Sequence, residues 1–207
     1  MLVQDIMTRQ VVAIDPDMPI GDVNTLMEQR NIRHFPIVED ENLVGVVSDR
    51  DIRTVGSEHP QAKEGITLKD KIASIMVSPV ITTHPLDPVE EASKVLRDRK
   101  IGALPVVQDD KLVGIITGID VLEAFTQMSG VYGATTRLEV ELENRPGALA
   151  NLLTRVAERN TNVASVMTTR QEPDATTVVL RVGTIDGRGL ANALREEGMS
   201  VLWPQEK

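Results

Sequence analysis

No cysteine occurs among the 207 residues, which excludes disulfides, thiolate catalysis and cysteine-based metal sites. Aromatic residues make up only 2% of the chain, so its cores must be built from Val, Ile, Leu, Ala and Met. Such a chain also lacks the stacking rings that single-stranded nucleic acid needs. Basic charge is in short supply. Lys and Arg number 22 against 31 Asp and Glu, which leaves a net charge of −9. A phosphate backbone requires a basic face, so nucleic acid is not an expected partner. The nearest basic run, Arg97-Asp98-Arg99-Lys100, is interrupted and reads as a solvated helix end. No apolar stretch approaches the roughly 18–20 residues of a membrane span. Met1-Leu2-Val3-Gln4-Asp5 lacks the basic-then-apolar order of a signal peptide. The expectation is a soluble cytoplasmic protein with no membrane partner.

What the chain does contain is a repeat. Gly45-Val46-Val47-Ser48-Asp49-Arg50-Asp51 returns as Gly114-Ile115-Ile116-Thr117-Gly118-Ile119-Asp120, 69 residues later. The register holds without a gap from Ile6-Met7, matched by Ile75-Met76, to Asp51-Ile52, matched by Asp120-Val121. A fixed period sets the architecture before any single motif does.

Each copy reads the same way. Val11–Ile14 and Val80–Thr83 are short β-branched runs, predicted as strands. Pro19 and Pro88 suit the first position of a helix, with Asp87 as a cap for the second. Ile20, Val23, Leu26 and Met27, then Val89, Ala92, Val95 and Leu96, give those helices apolar stripes. Phe35–Val38 and Leu43–Val47 form a hairpin turned at Asp40-Glu41-Asn42, and Leu104–Val107 and Leu112–Ile116 another at Asp109-Asp110-Lys111. Ser48 and Thr117 open the closing helices, the first through Ile52, the second through Leu122 and on to Met128. Between the copies, residues 56–65 are polar, contain Pro60 and read as a loop. Leu68–Ser74 is predicted as a short helix.

The last third has another pattern. Leu138, Val140 and Leu142 alternate with Glu139, Glu141 and Glu143, as in a half-buried strand. Asn144-Arg145-Pro146-Gly147 is a turn, and Leu149, Leu152, Leu153, Val156 and Ala157 mark a helix. Strands follow over 162–170 and 175–182, then a helix over 189–197 stopped by Gly198, then a strand over 199–203. The order βαββαβ is the ferredoxin-like split sandwich. The fold class is therefore α+β. The domains expected are 1–65, 66–128, a glycine-bearing linker 129–136, and 137–207.

Ser48-x-x-Asp51 and Thr117-x-x-Asp120 carry two readings. A hydroxyl residue followed three positions later by an acid resembles a helix capping box. A helix start also offers unpaired N–H groups to an anion, and a carboxylate beside it can accept both hydroxyls of a ribose. The two readings are compatible.

The wider pattern resembles the CBS domain family. It rests on Ile32-x-x-Phe35-Pro36-Ile37-Val38 with Leu43-Val44-Gly45-Val46-Val47-Ser48-x-x-Asp51. It rests equally on Ile101-x-x-Leu104-Pro105-Val106-Val107 with Leu112-Val113-Gly114-Ile115-Ile116-Thr117-x-x-Asp120. Two such units in tandem resemble a Bateman module, a pseudo-twofold disc whose clefts take adenosine ligands. The resemblance implies that AMP, ADP or ATP is a regulatory ligand, with no catalytic cofactor. Asp51 and Asp120 would hold ribose, assisted by Ser48 and Thr117. Residues just before and at Pro36 would line the base. Arg33, His34 and Arg50 supply cations for phosphate in the first copy. Gly102, Ala103 and Ile119 stand in their places in the second. A phosphorylated ligand is therefore expected in the first cleft.

The last 70 or so residues resemble an ACT domain, on Leu142-x-Asn144-Arg145-Pro146-Gly147-Ala148-Leu149 and on Asn162-Val163 opening the second strand. That family often pairs edge to edge and often binds amino acids near this turn. By that resemblance Asn144, Gly147, Ala148, Leu149, Asn162 and Val163 are candidate contacts. A purely structural turn, in which Asn144 caps the helix, and a scaffold for homodimers explain the same residues. The order CBS–CBS–ACT is also similar to that of acetoin-utilisation proteins, which implies a link to acetoin or acetate metabolism.

No residue set assembles a catalytic or metal centre. His34, His59 and His84 are scattered, and P-loop, G-x-S-x-G and G-x-G-x-x-G motifs are missing. Glu90 and Glu91 are adjacent on a helix and point apart. The eight methionines suit core gaps. The reading is a non-enzymatic regulatory protein acting on a partner the sequence does not name. A separately encoded regulatory subunit of an enzyme or transporter is the main alternative. An undetected enzyme and a transcription factor stand behind it.

Overall fold

Residues 1–56 and 65–205 are described by the computed structural model. The loop expected over 56–65, with His59 and Pro60, lies mostly outside them. The chain divides into two units, Met1–Leu122 and Glu123–Lys207.

The first unit is built on the two hairpins. Strands β1 (His34–Glu39) and β2 (Asn42–Ser48) pair antiparallel, as do β3 (Ala103–Gln108) and β4 (Lys111–Thr117). Both turns are as expected. Asp40 and Glu41 have φ of 47° and 66°, and Asp109 and Asp110 have 50° and 62°. Two consecutive left-handed residues make the turn whose twist matches the strands it joins. Aspartate is among the few residues that visit this region readily. The order is β1-β2-β4-β3, and β2 meets β4 only at Asn42 and Lys111. There Lys111 Nζ donates to Glu41 Oε2 at 2.9 Å.

Helices α2 (Ile20–Arg30) and α4 (Val89–Arg99) bury Ile20, Val23 and Met27, and Val89, Ala92 and Leu96. Each prolyl residue precedes its helix instead of opening it. Pro19 and Pro88 have φ −62°, which suits a helix, but ψ 140°, which is extended. Asp87 does not cap α4. Its Oδ2 accepts from Thr83 Oγ1 and His84 N, both at 2.7 Å, and so closes the preceding turn. The runs 11–14 and 80–83 are not full strands either. Each makes one parallel bridge, Ile14 to Ile37 and Thr83 to Val106, before Pro16 and Pro85 redirect the chain. The helix expected over 68–74 shrinks to a 3-10 turn, Ile72–Ser74.

The entry segments are exchanged between the copies. Helix α1 (Val3–Ile6) belongs by sequence to the first copy, yet Val3 N donates to Asp87 O and Gln4 N to Pro85 O, both at 2.9 Å. Thr8 bridges Ile115 on β4. Reciprocally, Ile72 N donates to Met18 O at 2.8 Å, and Val77 bridges Val46 on β2. Ile72 and Ile75 are buried in one core with Ile14, Ile20, Val23, Met27, Phe35, Ile37, Val47 and Ile52. Met76 lies over Gly45 and Met7 over Gly114. A Cβ on either glycine would come within 2.5 or 2.6 Å of the methionine sulfur.

Helix α3 (Asp49–Arg53) follows β2, and α5 (Gly118–Met128) follows β4 and runs through the boundary between the units. The second unit then contains β5 (Thr136–Glu143), α6 (Ala148–Glu158), β6 (Val163–Gln171), β7 (Ala175–Val182), α7 (Gly187–Glu196) and β8 (Ser200–Trp203). The antiparallel sheet has the order β6-β7-β5-β8, the expected split sandwich. Leu138, Val140 and Leu142 of β5 and Val178, Leu180 and Val182 of β7 alternate onto one face. They pack there against Leu152 and Val156 of α6 and Leu190, Ala191 and Leu194 of α7. Helix α7 starts earlier than expected because Asp186 Oδ1 accepts from Gly189 N at 2.8 Å. Gly198, at φ 83°, ends that segment.

Candidate functional site

Ser48 ends β2 in extended conformation and is the N-cap of α3. Asp51 Oδ2 accepts from Ser48 N at 2.8 Å and from Ser48 Oγ at 2.6 Å. Asp120 Oδ2 accepts from Thr117 N and Thr117 Oγ1, both at 2.7 Å. The capping reading is thus realised twice. It uses only one oxygen of each carboxylate. Among the described residues no hydrogen bond reaches Oδ1 of Asp51 or Asp120. All four side chains are half-buried, and neither free oxygen is fully buried without a partner. A carboxylate anchored through one oxygen keeps the other as a free acceptor.

The surroundings of the two mouths differ. In the first, Arg33 and Arg50 are exposed and His34 is half-buried. Asp49 N donates to Arg33 O at 3.0 Å, which ties the cationic turn to the start of α3. Burial lowers the His34 pKa below its ordinary value, and Arg50 and Arg33 act in the same direction. Asp49 and Asp51 oppose them. Pro36 is buried in β1, where its carbonyl accepts from Ile14 N at 3.1 Å. In the second mouth Gly118 N donates to Gly102 O at 3.3 Å, the same bond as in the first. Gly102, Ala103, Gly118 and the exposed Ile119 offer no charge there.

The candidate contacts in the second unit fall into two groups. Gly147 has φ 86° and is the N-cap of α6, and a Cβ there would meet nothing within 4 Å. Ala148 packs on the core and Leu149 is 39% exposed. Asn144 does not cap the helix. Its Nδ2 donates to Glu172 O at 2.8 Å and its N to Asp174 O at 3.1 Å, so it pins the β6–β7 turn to the end of β5. Asn162 and Val163 lie at the other end of the sheet. Val163 pairs with Val182, Val182 with Thr136, and Asn162 O accepts from Gly183 N at 2.8 Å. The length of β5, roughly 23 Å at about 3.3 Å per residue, separates the groups. One chain does not bring them together.

The family model for the CBS domain matches residues 3–58 and 72–127, and that for the ACT domain matches 136–198. The chain belongs to the CBS domain family. It is a tandem CBS pair followed by an ACT domain.

Relatives match the CBS pair. The CBS domain-containing protein YhcV of Bacillus subtilis is 31% identical over 144 residues, 69% of this chain and 96% of that protein. Inosine-5'-monophosphate dehydrogenase of Thermoplasma acidophilum is 37% identical over 120 residues, 58% of this chain but 22% of that enzyme. Among solved structures, an acetoin utilization protein of Vibrio cholerae, AcuB, is 31% identical with a TM-score of 0.54, covering 63% of this chain and 94% of that one. The CBS pair of protein MJ0100, in complex with 5'-methylthioadenosine and S-adenosyl-L-methionine, is 29% identical with a TM-score of 0.54, covering 61% and 97%. CBSX2 in complex with AMP is 26% identical with a TM-score of 0.56, covering 61% and 97%.

Sequence reasoning missed one neighbour in the CBS pair. The His34 ring lies against Gly102 of the other copy, where an added Cβ would stand 2.5 Å from Nε2 and 2.7 Å from Cε1. The only signal in the sequence was the loss of a side chain at the position matching Arg33. The other described histidine, His84, accepts from Leu86 N through Nδ1 at 3.2 Å within its own turn. Among the described residues no group of three His, Asp or Glu could hold a metal ion. No helix among them is long and apolar enough to cross a membrane.

Proposed function

We propose that this chain is a non-catalytic regulatory protein whose CBS pair binds an adenine nucleotide. The observation that carries the reading is the pair of matched mouths. In each, an aspartate is anchored through one oxygen and presents the other beside a helix start. AMP in CBSX2, and 5'-methylthioadenosine with S-adenosyl-L-methionine in the MJ0100 pair, give the ligand class. Charge-assisted hydrogen bonds are roughly twice as strong as neutral ones. AMP, ADP or ATP therefore favours the first cleft, with the charges of Arg33 and Arg50 and the imidazole donor of His34. The second cleft suits an uncharged adenosine derivative. Thermal unfolding of the purified chain with AMP, ADP, ATP and adenosine tests the reading. Ligand at about 100 times Kd adds about 2.7 kcal/mol. For a chain of this size that raises Tm by roughly 5–10 °C. No shift with any of the four removes the reading.

For the ACT domain, assembly is favoured over amino-acid binding, because one chain leaves its candidate contacts at opposite ends of the sheet. Strand β6 is an edge of nine residues whose only charge is Arg170, with Val166 and Met167 exposed. An unprotected edge of this kind is a template for a second chain, so we infer a homodimer. Light scattering that finds a monomer at micromolar concentration contradicts it. The regulated target is a protein encoded separately, an enzyme or transporter. The resemblance to AcuB supports a target in acetoin or acetate metabolism. Co-purification with a catalytic partner from acetoin-grown cells supports this reading, and its failure argues for a free-standing sensor.

A further inference from the structure

The two CBS mouths are joined by one side chain. His34 is rooted beside the first, where Arg33 O holds the start of α3 at 3.0 Å. Its ring crosses to the other copy, with Nε2 and Cε1 directed at Gly102. Gly102 O in turn holds the start of α5 at 3.3 Å, one residue from Thr117. The repeat places Ala103 at the position matching His34, so no equivalent ring crosses back. Gly102, Ala103, Gly118 and Ile119 bring no charge to the second mouth, and the His34 imidazole reaches its edge at Gly102.

We propose that His34 is shared by both clefts and makes them compete for phosphorylated ligands. The proposal rests on the nucleotide reading above. One imidazole cannot serve two phosphates. A phosphate in the first cleft, held also by Arg33 and Arg50, draws the ring away from Gly102. The second cleft then faces a phosphate with no partner. An uncharged adenosine makes no demand on the ring, so two adenosines bind independently. Gly102 is required because any side chain there would occupy the space of the ring.

Isothermal titration of the full chain with AMP and with adenosine tests this. Asp120→Ala reports the first cleft alone and Asp51→Ala the second alone. For AMP, the second binding step of the unaltered chain is expected about tenfold weaker than these two constants imply, within the usual range of coupling between sites. For adenosine the two constants account for the whole isotherm. Gly102→Ala displaces the ring and abolishes the AMP discrepancy, and His34→Leu does the same should that variant unfold. Single-site constants that reproduce the AMP isotherm within about twofold overturn the sharing but leave the nucleotide reading intact. AMP binding to Asp120→Ala but not to Asp51→Ala also overturns it. If no protein binds either ligand, the nucleotide reading falls and takes the sharing with it.

Discussion

Replacing Asp51 by Ala separates the two roles that one carboxylate holds here. The cap has a definite cost. Asp51 Oδ2 accepts from Ser48 N at 2.8 Å and from Ser48 Oγ at 2.6 Å, at the head of a helix of only five residues. Losing a cap costs about 1 kcal/mol, and up to about 2. Hydrogen bonds to a charged group contribute about 1.5–3 kcal/mol. A loss of about 2–3 kcal/mol is therefore expected, a fall in Tm of roughly 5–10 °C. The ligand role is separate, because it uses Oδ1. Two ribose hydroxyls donating to that oxygen, at about 1.5 kcal/mol each or more, make AMP bind the first cleft at least about 100-fold more weakly, read by adding Asp51→Ala to Asp120→Ala. Titration calorimetry measures this, and denaturant unfolding measures the cap. The control is 2',3'-dideoxyadenosine monophosphate, which lacks both hydroxyls and should lose little on substitution. If the double variant loses its stability yet binds AMP within about threefold of Asp120→Ala alone, Asp51 caps a helix and does no more.

The exchange of entry segments predicts that Gly45→Ala and Gly114→Ala are both destabilising, since each Cβ would stand 2.5 or 2.6 Å from a methionine sulfur. Overpacking costs about 1–3 kcal/mol, and the backbone gain of Ala over Gly offsets about 0.5–1 of it. Urea unfolding should show a net loss of up to about 2.5 kcal/mol for each, and two stabilised variants would contradict the packing. His34 predicts a pH dependence. Its folded pKa lies below the ordinary 6.5, chiefly through burial. Between those two values the unfolded chain binds more protons, so stability falls as pH drops from 6.5 through the folded pKa. Melting from pH 8 to pH 5 should show that fall, reduced in His34→Gln. Parallel curves for the two proteins would refute it.

The repeat, both left-handed turns, the capped mouths and the alternation of β5 are local. Each depends on residues a few positions apart, so the sequence alone determined them. Periodicity likewise separated the helical stripes of α2 and α4 from the strands. Local chemistry misled where a residue has two uses. Pro19 has the φ of a helix but not its ψ, and Asp87 could cap but closes a turn instead. Asn144 looked like a helix cap, yet its amide donates 28 residues away. What only the tertiary structure decided is which surfaces of two nearly equivalent copies meet. Ile72 and Ile75 are as apolar as their counterparts Val3 and Ile6, and nothing in their spacing says that they complete the other copy's core. The same holds for His34 and Gly102. A missing Cβ becomes meaningful only when folding brings a ring from 68 residues away into its place. Burial is a property of the packed whole, and no pattern along the chain encodes it.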